Sequence, residues 1–181
     1  MDFGFSEQQR DVQNLARQIL SENVSAEKLS QYDDYKAERF DRELWQKLAE
    51  AGLLGVAVSE EYGGMGFGFF ELGLLVEEAG RTIAPLPLVS HLISAALPIQ
   101  QFGSTAQKQQ WLPGVASGEL MLTAALCEAY NDDPAQPYLT TASADGDGLL
   151  LNGEKTNVRL RISPIEYCWL PEPMTVSPLY Y

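Results

Sequence analysis

Near Ser117-Gly118-Glu119 the pattern of this chain changes, and the change restricts what it can fold into. Before that point apolar residues recur three and four apart, the spacing of one helix face. After it they come in runs of strand length, which alternate between the faces of a sheet. A helical unit followed by β structure satisfies both patterns. In the first part, Ser6 followed by Gln9 is a capping-box pair: the hydroxyl accepts from the third amide while the Gln side chain returns to the cap's own N–H. Val12, Leu15, Ala16 and Ile19 then fall on one stripe. Asp41 caps a second helix with Leu44, Trp45 and Leu48 inward and Gly52 ending it. A third covers 70–79, with Leu72, Leu75, Val76 and Ala79 in register and Gly80 after it. The fourth, 86–102, is apolar around most of its circumference and so belongs at the centre of a bundle. Ser104 with Gln107 repeats the capping box before Trp111, and Pro113 and Gly114 are expected to close that helix.

Past the change, 120–126 is an apolar run of strand length. Two further strands, in 138–144 and 149–155, flank Asp145-Gly146-Asp147-Gly148, whose residues tolerate the positive φ of a tight hairpin. Three strands are few for a sheet that buries a face. The last segment, 159–181, holds four of the ten prolines, at 164, 171, 173 and 178, and is expected to be a poorly ordered tail. The division is thus a helical domain at 1–118, an incomplete β domain at 119–158 and the tail.

Composition removes several classes of function. With 25 acidic against 12 basic side chains, the formal charge of -13 repels nucleic acid and anionic membrane surfaces. Cys127 and Cys168 lie far apart and His91 is the single imidazole, so no Cys/His metal cluster assembles and a Ser-His-acid set could run only through His91. The start of the chain has no basic region followed by an apolar core, which argues against a secretory signal and for a cytoplasmic location. The most apolar stretch, 83–99, is interrupted by Pro85, Pro87, Ser90, His91 and Pro98, so no membrane span is expected.

Five segments, taken in order, carry a resemblance. They are 58–66 (Val-Ser-Glu-Glu-Tyr-Gly-Gly-Met-Gly), 71–81 (Glu-Leu-Gly-Leu-Leu-Val-Glu-Glu-Ala-Gly-Arg), 107–113 with Ser117-Gly118-Glu119, 124–128 (Ala-Ala-Leu-Cys-Glu) and 151–156 (Leu-Asn-Gly-Glu-Lys-Thr). Together they resemble the amino-terminal half of the acyl-CoA dehydrogenase family, flavoproteins that oxidise the α,β bond of acyl-CoA thioesters. The resemblance implies an α+β, mainly α, chain: an amino-terminal helical bundle followed by part of a β-barrel. It also implies FAD as cofactor, acyl-CoA as substrate, an electron-transfer flavoprotein as acceptor and assembly into homo- or hetero-oligomers. The family's catalytic Glu belongs to a carboxy-terminal bundle that has no counterpart here, so no acid of this chain is assigned that role.

Flavin contacts carry over onto Leu126 and Cys127, where the family has Leu-Thr, onto Asp133 in the loop that follows, and onto Asn157 and Val158, where the family has Trp-Ile. Cys127 exchanges a hydroxyl for a weaker thiol donor, and Asp133 adds an anion. Asp132, and His91 on the central helix, align with the substrate pocket. Because the resemblance stops within a residue or two of Val158, an out-of-frame tail on a truncated chain, inactive alone, is the simplest account. The alternative function is a non-catalytic helical module that pairs with another subunit.

Local features also have plainer readings. The glycines at 63, 64 and 66 could cradle a phosphate or simply make a tight turn, and Glu71 stands where a dinucleotide fingerprint needs its third glycine. His91 could be a satisfied core residue rather than a pocket wall. Glu77 and Glu78, about 100° apart on a helix, cannot share a proton, and one of them should face solvent. Cys127, in an apolar strand, is expected to be buried and inert.

Overall fold

The computed structural model describes residues 4–33, 39–133, 135–146, 148–158 and 166–167. Among these residues six α-helices and one π-helix precede four short strands: α1 (Glu7–Asn23), α2 (Ala26–Ser30), α3 (Arg42–Glu50), α4 (Phe69–Thr82), the π-helix (Val89–Ala96), α5 (Leu97–Phe102), α6 (Thr105–Ser117), β1 (Leu122–Thr123), β2 (Thr141–Asp145), β3 (Gly148–Asn152) and β4 (Glu166–Tyr167). The chain is mainly helical with a small antiparallel sheet, so α+β, mainly α, is the fold class observed.

Both capping boxes form. Ser6 Oγ accepts from the Gln9 amide at 3.2 Å while Gln9 Oε1 accepts from the Ser6 N–H at 2.9 Å, and Ser104 with Gln107 does the same at α6. The α1 stripe is narrower than its spacing suggests: Val12, Ala16 and Leu20 are buried, whereas Leu15 is 36% exposed. α1 packs mainly on α4 and also touches α3, and the i, i+4, i+8 row Val12, Ala16 and Leu20 is the part it buries fully. In α3 Leu44, Trp45 and Leu48 turn inward as expected, and Gly52 at φ 74 starts the next turn.

Three helix ends differ from expectation. α4 continues through Gly80 and stops at Ile83, which takes the left-handed conformation at φ 55. α6 continues through Pro113 and Gly114 to a left-handed Gly118. The Leu120 amide there returns to the Gly114 carbonyl at 2.9 Å, satisfying an end-of-helix acceptor. The central helix is π-helical from 89 to 96. Pro98 follows directly; it has no N–H for the carbonyl of Ser94 and its ring would strike that carbonyl in a regular α-helix, and a widened turn relieves both problems.

The core joins these elements through Leu20, Leu44, Leu48, Leu53, Leu54, Leu72, Leu75, Ile99 and Leu112, all fully buried. In the β part, β2 and β3 form the expected antiparallel hairpin, Thr141 opposite Asn152 and Asp145 opposite Gly148. The apolar run 120–126 contributes only the two residues of β1, paired in parallel with β4. Apart from Glu166–Tyr167, the proposed tail lies outside the described residues.

Candidate functional site

Immediately after β1 the chain runs through 124–128, and here most of the expected flavin contacts meet. The Thr156 amide donates to the Cys127 carbonyl at 2.9 Å, and Lys155 Nζ donates to the Leu126 carbonyl at 3.4 Å. These bonds set Leu126 and Cys127 beside Asn157 and Val158, thirty residues further along the sequence. Cys127 is exposed with a free thiol, contrary to the expectation that it is buried. Among the described residues, strand pairing of this segment ends at Thr123, so Cys127 lies outside the paired strand expected for it. Leu126 is 51% exposed as well.

The residue organising this corner, which sequence reasoning passed over, is Glu128. Its side chain is fully buried and accepts four hydrogen bonds: from the amides of Tyr138, Leu139 and Thr140 at 2.9 Å each, and from Lys155 Nζ at 3.0 Å. Burial by itself would raise its pKa, but the donors of Thr140, Leu139 and Tyr138 together with Lys155 outweigh it and hold the carboxyl well below the ordinary range. Glu128 thereby closes the 129–137 loop and starts the hairpin. Three of its four donors are backbone amides, which leave no residue-type signal in a sequence; only Lys155 did, through charge. Replacing Glu128 with Ala is expected to speed exchange of the Tyr138, Leu139 and Thr140 amides by roughly tenfold or more. Exchange followed by NMR, with the α4 amides as an unchanged internal standard, checks this.

Inside the loop, Asp133 is spent on local structure. Its Oδ1 accepts from the Ala135 amide at 3.0 Å and its Oδ2 from Gln136 Nε2 at 3.2 Å, while its own amide donates to Asn131 Oδ1. Asp132 beside it is exposed. His91 is not part of this corner. It is fully buried, accepts from the Leu122 amide at Nδ1 over 3.0 Å, and lies 5.0 Å from the Trp45 ring at 57°.

Burial lowers the His91 pKa to about 4. An unfolded histidine titrates near 6.5, so between those values only the unfolded chain takes up the proton. This contribution to stability is intact above pH ~6.5 and is lost as pH falls toward 4, with a maximum slope of about 1.4 kcal/mol per pH unit. Urea midpoints measured from pH 7 to 4 should fall accordingly, and more shallowly in a His91→Phe variant.

The glycine segment is a tight turn. The amides of Gly63, Gly64, Met65, Gly66 and Phe67 all donate to carbonyls within 55–60, so none remains to cradle a phosphate. Of the acidic pair, Glu77 faces solvent, and Glu78 is buried under Arg17, whose Nη2 and Nε reach it at 2.7 and 3.2 Å, with Arg81 Nε at 3.1 Å. The Arg17 hydrogen bond holds the Glu78 carboxyl below its usual range and pins α1 to α4. Among the described residues, an open cleft of about 630 Å³ lies between α3 and 117–121, and none of the expected site residues lines it.

The model of the acyl-CoA dehydrogenase N-terminal domain matches residues 6–119. The chain belongs to the acyl-CoA dehydrogenase family. Acyl-CoA dehydrogenase FadE27 of Mycobacterium tuberculosis is 34% identical over 158 residues, 87% of this chain and 41% of that protein. The structure of the Tcur3481-Tcur3483 steroid ACAD superposes with a TM-score of 0.78 at 43% identity, over 84% of this chain and 41% of that one. An acyl-CoA dehydrogenase from Bacillus anthracis, solved in complex with FAD, superposes with a TM-score of 0.70 at 31% identity, over 85% of this chain and 27% of that one. The chain spans about two fifths of the length of its curated relative. Among the described residues no helix is long and apolar enough to cross a membrane.

Proposed function

We propose that this chain is the amino-terminal part of an FAD-dependent acyl-CoA dehydrogenase, with a helical domain at 1–118 and the opening of a β domain at 119–158, and that it does not turn over substrate alone. The observation that supports the reading is the Thr156 to Cys127 hydrogen bond, which joins 126–127 to 156–158, the two stretches that the resemblance assigns to the flavin. The residues present fit a flavin edge. Leu126 and Cys127 are exposed, their amides donate to no described residue, and Glu128 and Lys155 fix the far end of the stretch.

Bound there, FAD would accept the hydride from Cβ of the acyl thioester. The chain's own residues would orient it: the amides of Leu126 and Cys127 and the Cys127 thiol along one edge, Asn157 and Val158 beside it. Asp133 acts through the loop it shapes, which presents Asp132 toward substrate. An electron-transfer flavoprotein is the acceptor in this reading, and the free Cys127 thiol suits a reducing, cytoplasmic compartment. Assembly with a second subunit accords with the paired name of the steroid ACAD it resembles and with the exposed aromatic cluster of Phe5, Phe69 and Phe70.

Titration of FAD into the purified chain, followed by flavin fluorescence, tests the reading. Saturable quenching that weakens in Cys127→Ala, with no dye reduction on adding acyl-CoA, is expected. A chain that binds no flavin at any attainable concentration would remove the reading in favour of a pairing module.

A further inference from the structure

We propose that His91 is a positioning residue for the flavin segment: its Nδ1 holds the upstream end of 122–128, as Glu128 and Lys155 hold the downstream end. The inference rests on the proposed function, in which Leu126 and Cys127 face the flavin.

The Leu122 amide lies at the start of β1, buried at 1% exposure, and a buried amide needs an acceptor. The acceptor is a side chain, His91 Nδ1 at 3.0 Å. An acceptor at Nδ1 places the ring proton on Nε2, an assignment that follows from this hydrogen bond. His91 Nε2 is itself buried and has no hydrogen-bond partner among the described residues. An apolar side chain at 91 would remove that orphaned donor but leave the buried Leu122 N–H without an acceptor, so the imidazole satisfies the strand amide and leaves its own ring N–H unpaired instead.

The ring has no freedom to leave. It packs against Trp45, and the buried positions of the π-helix, His91, Leu92, Ala95 and Ala96, follow the wide turn that directs this face toward β1. Downstream, the Cys127 carbonyl is tied to Thr156 and the Glu128 carboxylate to three amides and Lys155. With β1 only two residues long, the position of Leu126 and Cys127 depends on both ends being fixed.

Hydrogen exchange followed by NMR on the full chain and on His91→Asn and His91→Phe tests the proposal, because Asn keeps an acceptor atom at the place of Nδ1 while Phe keeps the ring and has none. Expected is protection at Leu122 and through 124–128 in the Asn variant close to that of the parent, exchange there about tenfold or more faster in the Phe variant, and unchanged α4 amides in both. Flavin affinity should follow the same order, falling about tenfold in Phe and being retained in Asn. Equal protection in the two variants overturns the proposal, and so does flavin affinity that ignores the acceptor while Leu122 exchange follows it. If the parent itself binds no flavin, the functional reading fails separately, and exchange at 124–128 still decides whether His91 positions the segment.

Discussion

Gly64→Val should unfold or severely destabilise this chain. A Cβ at residue 64 would be driven into the backbone carbonyl of Val58, and that carbonyl cannot yield, because it already accepts the Gly66 amide at 2.8 Å. The neighbouring Gly55 leaves no room on the other side: a Cβ there would stand 3.1 Å from the Gly64 Cα, so the two glycine backbones lie in contact. The Gly55 carbonyl also holds the Met65 and Val58 amides, so moving the turn breaks several bonds together. Overpacking against rigid backbone costs on the order of 3 kcal/mol or more. For a chain of this length that corresponds to a fall in Tm of about 6–12 °C. Gly63→Ala makes a useful comparison, since a Cβ at that position would meet no atom within 4 Å and only its φ of 84 opposes a side chain. A thermal melt in which Gly64→Val matched Gly63→Ala would show that the turn is more plastic than the packing implies.

Trp45→Ala is the second large effect. Trp45 lies between the edge of Phe40, at 5.7 Å, and the His91 ring, and its Nε1 donates to the Gly118 carbonyl at 3.0 Å. It thus joins α3, the central helix and the point where the helical part gives way to β1. Removing a buried indole of this kind costs about 3–5 kcal/mol. Trp45→Phe keeps most of the packing and loses the hydrogen bond, a change of about 0.5–1.5 kcal/mol. Urea unfolding of the two variants separates these contributions. Equal midpoints for them would mean that the bond to Gly118, rather than the indole's bulk, dominates. Because His91 leans on Trp45, the Ala variant should also expose the Leu122 amide to exchange, while the Phe variant should not.

Much of the helical part was legible from residue types because its signals are local. Ser6 with Gln9, Ser104 with Gln107 and Asp41 before Leu44 each satisfy amides within three residues, so no tertiary partner is needed to predict them. The inward face of α3 followed from spacing alone, and so did the 141–152 hairpin, whose turn residues accept positive φ. Other features depended on partners distant in sequence. Leu15 is exposed because it lies off the Val12, Ala16 and Leu20 row that α1 buries against its neighbours, and α6 passes through Pro113 because its end is fixed by Leu120 and Gly118 rather than by its own composition.

The corner at 124–128, proposed to face the flavin, shows the division most clearly. Its residues were found by resemblance, yet their meeting depends on Thr156 donating to Cys127, and their anchor, Glu128, is held by backbone amides that any residue would supply. His91 stood out in the sequence as the only imidazole, but whether it lined a pocket or held a strand depended on which group lay opposite Nδ1. The sequence by itself determined the order of helices and hairpin, because caps, turns and periodicity act over a few residues. Tertiary structure decided which polar groups are buried and against what, because burial and hydrogen bonding are set by whichever segments pack together, however far apart they lie along the chain.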